Sequence, residues 1–152
     1  MWIQAMDEDM KSHADKGTLI LVLKPPGVNI VGSKWAFKLK SDENGDLKGF
    51  KARLCTKEYS QVYGVDYLDT FAPVVSATGL RTLSAIAAAR KLEVHHLDVT
   101  TAFLNAELKE EIYMAQPEGY EQLSETGEVL VCKLQRAIYG QKQAGREWWI
   151  TF

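Results

Sequence analysis

Asp98 is the acidic residue whose setting best suits catalysis. It lies in Val94-His95-His96-Leu97-Asp98-Val99, which predicts a short strand with Leu97 and Val99 facing a core and Asp98 facing the other way. Thr100, Thr101 and Phe103 follow directly. A carboxylate at a strand end is a hard oxygen ligand of the kind Mg²⁺ prefers. Phosphoryl-transfer enzymes hold two such ions on several carboxylates, clamping the attacking and leaving oxygens. One Asp cannot build that site, and Asp also ends strands simply as a cap or turn residue. His95 and His96 are adjacent and would face opposite sides of a strand, while Cys55 and Cys132 are far apart, so no zinc-ligand spacing exists. Both cysteines read as small buried hydrophobes. No Gly-x-x-x-x-Gly-Lys loop and no Gly-x-Ser-x-Gly elbow occurs, and a Ser or Cys hydrolase is not supported.

The second chemically suggestive pattern is cationic. Lys34, Lys38 and Lys40 alternate with Trp35, Phe37 and Leu39, continuing the apolar side of Val31. After Asp42-Glu43-Asn44-Gly45-Asp46, Lys51 and Arg53 alternate with Phe50, Ala52 and Leu54. The Asn-Gly pair predicts a tight hairpin, giving one apolar face and one cationic face. Like charges brought together on one face repel, so such a face calls for bound anions or screening water. Net charge is −2, but the distribution is uneven: residues 34–57 sum to +4, residues 133–146 to +4, and residues 107–128 to −6. The basic zones can neutralise phosphates locally whatever the net charge, or can be plain solvated surface.

The elements that must position these residues are legible in part. Trp2, Met6 and Met10 lie at four-residue spacing and predict an amphipathic helix over 1–15. Leu19 to Leu23 predicts a strand stopped by Pro25-Pro26-Gly27. Residues 59–78 read as irregular, and Leu80 to Leu92 as an Ala-rich packed helix. Thr100 to Leu108 reads as a tight turn or short helix, Ile112 to Met114 and Val129 to Leu134 as strands, with a turn at Gln116-Pro117-Glu118-Gly119. Gln141 to Phe152 starts a helix whose dense aromatics call for partners, the mark of a truncated domain. The order suggests an α+β domain with an antiparallel or mixed sheet. At 46% hydrophobic and 25% charged, 152 residues have a globular profile with no membrane-spanning run and no signal-peptide pattern at Met1 to Met10.

Taken together, the segments resemble the copia-type retrotransposon reverse transcriptases. Trp2-Ile3-Gln4-Ala5-Met6 with Glu8-Asp9-Met10 resembles that family's opening, Gly32-Ser33-Lys34-Trp35-Ala36-Phe37-Lys38 its Gly-x-Lys-Trp-Val-Phe-Lys strand, and Lys51-Ala52-Arg53-Leu54 its Lys-Ala-Arg-Leu segment. Asp66-Tyr67 with Asp69-Thr70-Phe71-Ala72-Pro73-Val74-Val75 is similar to its Asp-Tyr-x-Glu-Thr-Phe-Ala-Pro-Val-Val. Leu97-Asp98-Val99 with Thr101-Ala102-Phe103-Leu104-Asn105, Ile112-Tyr113-Met114 with Gln116-Pro117-Glu118-Gly119-Tyr120, and Ile138-Tyr139-Gly140-Gln141-Lys142-Gln143-Ala144 follow in the family's order.

The resemblance implies a right-hand polymerase fold: fingers over about 1–90, then the first part of the palm with continuing fingers or palm elements over about 91–152. It implies that Asp98 is the first catalytic carboxylate and binds Mg²⁺ with the Val99 carbonyl. Phe103 would stand at the gate that excludes a ribose 2′-OH by clash, with core packing as its other reading. Lys51, Arg53, Tyr139, Gly140 and Lys142 would bind nucleotide; Lys38 and Lys40 are weaker candidates for template phosphates. The implied partners are an RNA or DNA template-primer, deoxynucleoside triphosphates, and further palm, thumb and RNase H regions, without a membrane; the setting is a cytoplasmic particle or the nucleus. The family's Tyr-x-Asp-Asp, source of the other two carboxylates, has no counterpart among these residues. The chain also departs from the pattern at Leu19, Gly49, Glu58, Ala106, Gln141 and Gly145; Glu58 replaces a Gly at a position suggestive of positive φ. The expectation is a polymerase fragment inactive by itself, with a nucleic-acid-binding module or the remnant of a degraded element as alternatives.

Overall fold

A computed structural model describes all 152 residues. In chain order it contains α1 (Trp2–Lys16), β1 (Leu19–Leu23), β2 (Ile30–Val31), β3 (Ser33–Ser41), β4 (Leu47–Thr56), a 3-10 turn (Glu58–Ser60), α2 (Ala77–Arg90), a second 3-10 turn (Ala102–Asn105), β5 (Glu107–Met114), β6 (Leu130–Arg136) and α3 (Ala144–Thr151). The mixture is α+β, as expected. A four-stranded sheet has the order β1-β6-β5-β2, antiparallel except where β2 runs parallel to β5, and β3 and β4 form a separate hairpin.

The hairpin forms as its alternation predicts. Asp42 Oδ1 accepts from the Asn44 and Asp46 amides, and Gly45 takes φ 88°. The register sets Lys38 opposite Lys51, Leu39 opposite Phe50 and Trp35 opposite Leu54, so each face keeps its character across both strands. Val31 belongs to a different sheet, however. Gly32 interrupts the run, its N–H donating to Ser60 Oγ and its carbonyl accepting from the Lys57 amide. Val31 thereby turns into the core beside Met114.

α1 ends at Gly17 in the left-handed region, φ 58°, where the Gly17 and Thr18 amides return to the Ala14 and His13 carbonyls. The most buried stripe of α1 is Ala5, Asp9 and His13, next to the half-buried Trp2, Met6 and Met10 that its periodicity singled out. The helix lies along the free edge of β4: the Asp9 carboxylate accepts the Leu54 N–H at 2.7 Å, and Trp2 packs edge-on against Phe37 and Phe50. The core gathers Val31, Leu54, Leu104, Ile112, Met114, Cys132, Leu134 and Ile138, with Met10, Leu19, Leu21, Trp35 and Leu108 against it. Full burial of side chains such as Ile112 or Leu54 contributes about 1.5–3 kcal/mol each.

Three further expectations need correction. Residues 94–99 form no strand, and Val94 and Leu97 are exposed. A strand needs a hydrogen-bonding neighbour, and neither sheet within this chain supplies one here. α2 does form, capped by Ser76 Oγ accepting from Gly79 N, yet it buries none of its residues. Its apolar positions Leu80, Leu83 and Ile86 have the right spacing but no apposed surface within the chain. Glu58 does not adopt positive φ; among non-glycine residues only Lys91 and Thr101 do.

Candidate functional site

Between the cationic face of β4 and the segment leading into the Ala102–Asn105 turn lies a cavity of about 400 Å³ lined by Asp9, Lys51, Arg53, Asp98, Val99, Thr100, Thr101, Ala102, Phe103 and Tyr139. Six of the eight residues singled out from sequence meet here: Lys51, Arg53, Asp98, Val99, Phe103 and Tyr139.

The positions follow from local structure. Tyr139 is tied to β4 by its carbonyl, which accepts the Thr56 N–H at 2.9 Å. Gly140 makes that approach possible. Its φ is 82°, and a Cβ there would lie 2.5 Å from the Thr56 carbonyl oxygen. Gly140 is thus a backbone buttress outside the cavity wall. The Tyr139 ring then stacks under the Arg53 guanidinium, 4.9 Å from its centroid, and meets Phe103 edge-on at 5.4 Å. Phe103 also packs on the small cluster of Ala106, Ala137 and Ala144, so it is both a core side chain and a cavity wall. Thr101, in the cavity lining, holds φ 52° and ψ 47°, a left-handed conformation uncommon for a β-branched residue. Such strain persists only where the surroundings impose it. Here Asn105 Nδ2 donates to the Thr101 carbonyl, Lys16 holds Asn105 Oδ1, and Arg136 holds the Asn105 carbonyl.

Lys142 lies apart. It forms an ion pair with Glu58 at 3.7 Å, sits 5.4 Å from the Tyr67 ring centroid, and lines a second concavity with Glu58, Tyr67, Thr70 and Gln141. Its backbone is fixed by a buried amide relay: Lys142 N donates to Gln61 Oε1, Gln61 Nε2 to Gln143 Oε1, and Gln143 Nε2 to the Asp66 carbonyl.

Electrostatics separate the two basic zones. Lys133 pairs with Glu111, Lys142 with Glu58, and Arg146 with Asp69 and Glu147, so the 133–146 zone is largely neutralised within the protein. None of Lys34, Lys38, Lys40, Lys51 or Arg53 has an ion pair. The Lys51 ammonium is held below its usual range, first by burial and then by Arg53 and Lys40, with Asp9 and Asp98 opposing. Such a cluster gains from an anion that restores charge balance. Asp98, on the same wall, is exposed. No group of three or more His, Cys, Asp or Glu side chains is arranged to hold a metal.

Sequence reasoning missed Asp9 as a cavity residue. Asp9 falls in the family-like opening without a role attached, and its spacing is the further signal: Ala5, Asp9 and His13 share one helical stripe, an odd place for an acid and a histidine. Thr101 carried no signal, because nothing in a Thr marks a left-handed backbone.

A family model described as reverse transcriptase (RNA-dependent DNA polymerase) matches residues 16–152. The chain belongs to the reverse transcriptase family. Its relatives include the retrovirus-related Pol polyprotein from transposon TNT 1-94 of Nicotiana tabacum, 46% identical over 150 residues, covering 99% of this chain and 11% of that protein. The corresponding polyproteins from transposons RE2 and RE1 of Arabidopsis thaliana are 41% and 39% identical, each covering 98% of this chain and 10% of the relative. The resemblance to copia-type reverse transcriptases thus holds along the chain, which spans about a tenth of the length of these relatives. No solved structure matches it. No helix is long and apolar enough to cross a membrane.

Proposed function

We propose that this reverse transcriptase-family chain forms the fingers, over about 1–90, and the first part of the palm, over about 91–152, of a right-hand polymerase, and that the cavity beside β4 receives the triphosphate of an incoming deoxynucleotide. The observation that carries this reading is the meeting of two cations without ion pairs, Lys51 and Arg53, with Asp98 around one cavity. Lys51 and Arg53 bind phosphate oxygens; the Arg53 guanidinium, already braced on Tyr139, offers a fixed fork for them. Asp98, with the Val99 carbonyl, supplies oxygen ligands for a divalent ion. Phe103, wedged against Tyr139, fills the space beside the sugar and discriminates by clash. Gly140 supports the site from behind, and Lys142 serves the neighbouring surface, where template or nucleotide passes.

The family implies a divalent metal, Mg²⁺ in our reading. Mg²⁺ commonly binds through one or two carboxylates together with substrate phosphates, and Asp98 beside two phosphate-seeking cations fits one such ion. It does not fit a pair. The other carboxylate of the cavity, Asp9, has one oxygen held by the Leu54 amide, and no group of three or more ligands is assembled. When bound, the ion would neutralise developing charge on phosphate oxygens. These 152 residues therefore bind nucleotide without joining it to a primer.

Calorimetric titration with dTTP and Mg²⁺ tests the reading. The combined Lys51→Glu and Arg53→Glu change should weaken binding at least roughly tenfold and flatten its salt dependence. Unchanged affinity in that variant would remove the assignment. Phe103→Ala should narrow the preference for dTTP over UTP. Primer extension by the chain alone would contradict the account of its carboxylates.

A further inference from the structure

We infer that Asp9 is a built-in counter-anion of the Lys51–Arg53 cavity, competing with ligand phosphates for the two cations, and that His13 behind it sets how strongly it competes. The inference rests on the phosphate reading of that cavity. Asp9 lines both concavities that Lys51 lines, one with Lys40 and Ser12, the other with Arg53 and Asp98. It is one of few acids in the molecule that are almost entirely buried, at 8% exposure. Its charge opposes the depression of the Lys51 ammonium. Behind it, on the next helical turn, His13 Nε2 stands 3.5 Å from Asp9 Oδ2. That is close enough for charge attraction yet makes no hydrogen bond, and Nε2 is buried without another partner.

The far side of the ring is arranged for either protonation state. Thr18 Oγ1 lies 2.6 Å from His13 Nδ1 and 3.4 Å from the His13 carbonyl oxygen. With a neutral ring, the tautomer that avoids setting a lone pair against the Asp9 carboxylate has the hydroxyl donating to Nδ1 and Nε2–H toward Asp9. With an imidazolium it accepts from Nδ1–H and turns its own hydrogen to the carbonyl. Either way a positive Nε2–H edge faces the carboxylate, drawing its charge back from the cavity. His13 is therefore a positioning and tuning residue, acting through Asp9 without touching ligand.

The test uses inorganic tripolyphosphate, which carries the phosphate chemistry without base or sugar, titrated into the unmodified chain and two variants. Asp9→Asn keeps an oxygen for the Leu54 amide but removes the competing charge, and should bind roughly three- to tenfold tighter. His13→Leu removes every N–H facing Asp9 and should bind weaker by a similar factor. A purely structural pair would weaken binding in both variants, so loss in both, or no change in Asp9→Asn, overturns the inference. Thermal unfolding confirms that each variant folds; should His13→Leu fail to fold, the sign of the Asp9→Asn effect decides alone. The Lys51→Glu, Arg53→Glu variant separates the levels. If it binds tripolyphosphate as well as the unmodified chain, the phosphate reading itself fails and the inference with it.

Discussion

Gly140 is the residue at which the site tolerates no side chain. Its left-handed φ and the 2.5 Å that would separate an added Cβ from the Thr56 carbonyl oxygen act together. Gly140→Ala should destabilise the chain by about 2–4 kcal/mol, read from the denaturant midpoint, and should loosen Tyr139 from Arg53. The thiols make a second prediction at this scale. Burial pushes Cys132 up to about 11 and raises Cys55 as well, so both stay protonated near neutrality. A thiol reagent should label neither until the chain unfolds. A third concerns Tyr120, which donates to Asp7 on α1. Burial first, then the Asp7 hydrogen bond and charge, lift its pKa to about 12. The folded value lies above the unfolded one of about 10. The stabilisation is therefore complete below pH 10 and is lost as pH rises from about 10 through about 12, a loss that Tyr120→Phe should abolish in pH-dependent melting. At this scale the sequence named most cavity residues through family resemblance, because each motif carries its own residue types. It could not place Asp9 in the cavity, because that depends on a long-range approach of α1 to β4, nor foresee the conformation of Thr101, which Asn105, Lys16 and Arg136 impose.

Among the elements, those that satisfy their own hydrogen bonds or pair locally were the readable ones. The β3–β4 hairpin has period-two alternation and an Asn-Gly turn, so its register followed from neighbours in sequence. α1 was visible by periodicity, but its deepest stripe was displaced toward Ala5, Asp9 and His13, because docking on a strand edge demands a carboxylate for the exposed amide as well as apolar contact. Asp9→Ala should leave the Leu54 N–H buried and unpaired and cost about 1–3 kcal/mol. The 94–99 segment shows the opposite case. Alternation marks a surface able to join a sheet, but a strand exists only where a partner does. The Leu97-Asp98-Val99 alternation therefore predicts a strand that this chain, by itself, does not form.

For the whole molecule, charge and exposed apolar surface divide the labour. One basic zone is neutralised internally while the hairpin's cations are left without ion pairs. Leu80, Leu83 and Ile86 of α2 and Leu92, Val94 and Leu97 beyond it are exposed. Exposed apolar side chains at helical spacing, as on α2, normally belong against another surface. The chain should bind a hydrophobic dye in its folded state, and Leu83→Glu with Ile86→Lys should suppress that binding without lowering the melting midpoint. In our proposal Lys51, Arg53 and Asp98 make one nucleotide site. The most direct measurement is paramagnetic broadening of backbone amide signals when Mn²⁺ and dTTP are added together to the isotope-labelled chain. Broadening should centre on residues 51–53, 98–103 and 139 and be much reduced by Asp98→Asn. Broadening centred on the acidic 107–128 stretch, or none at saturating dTTP, would contradict it.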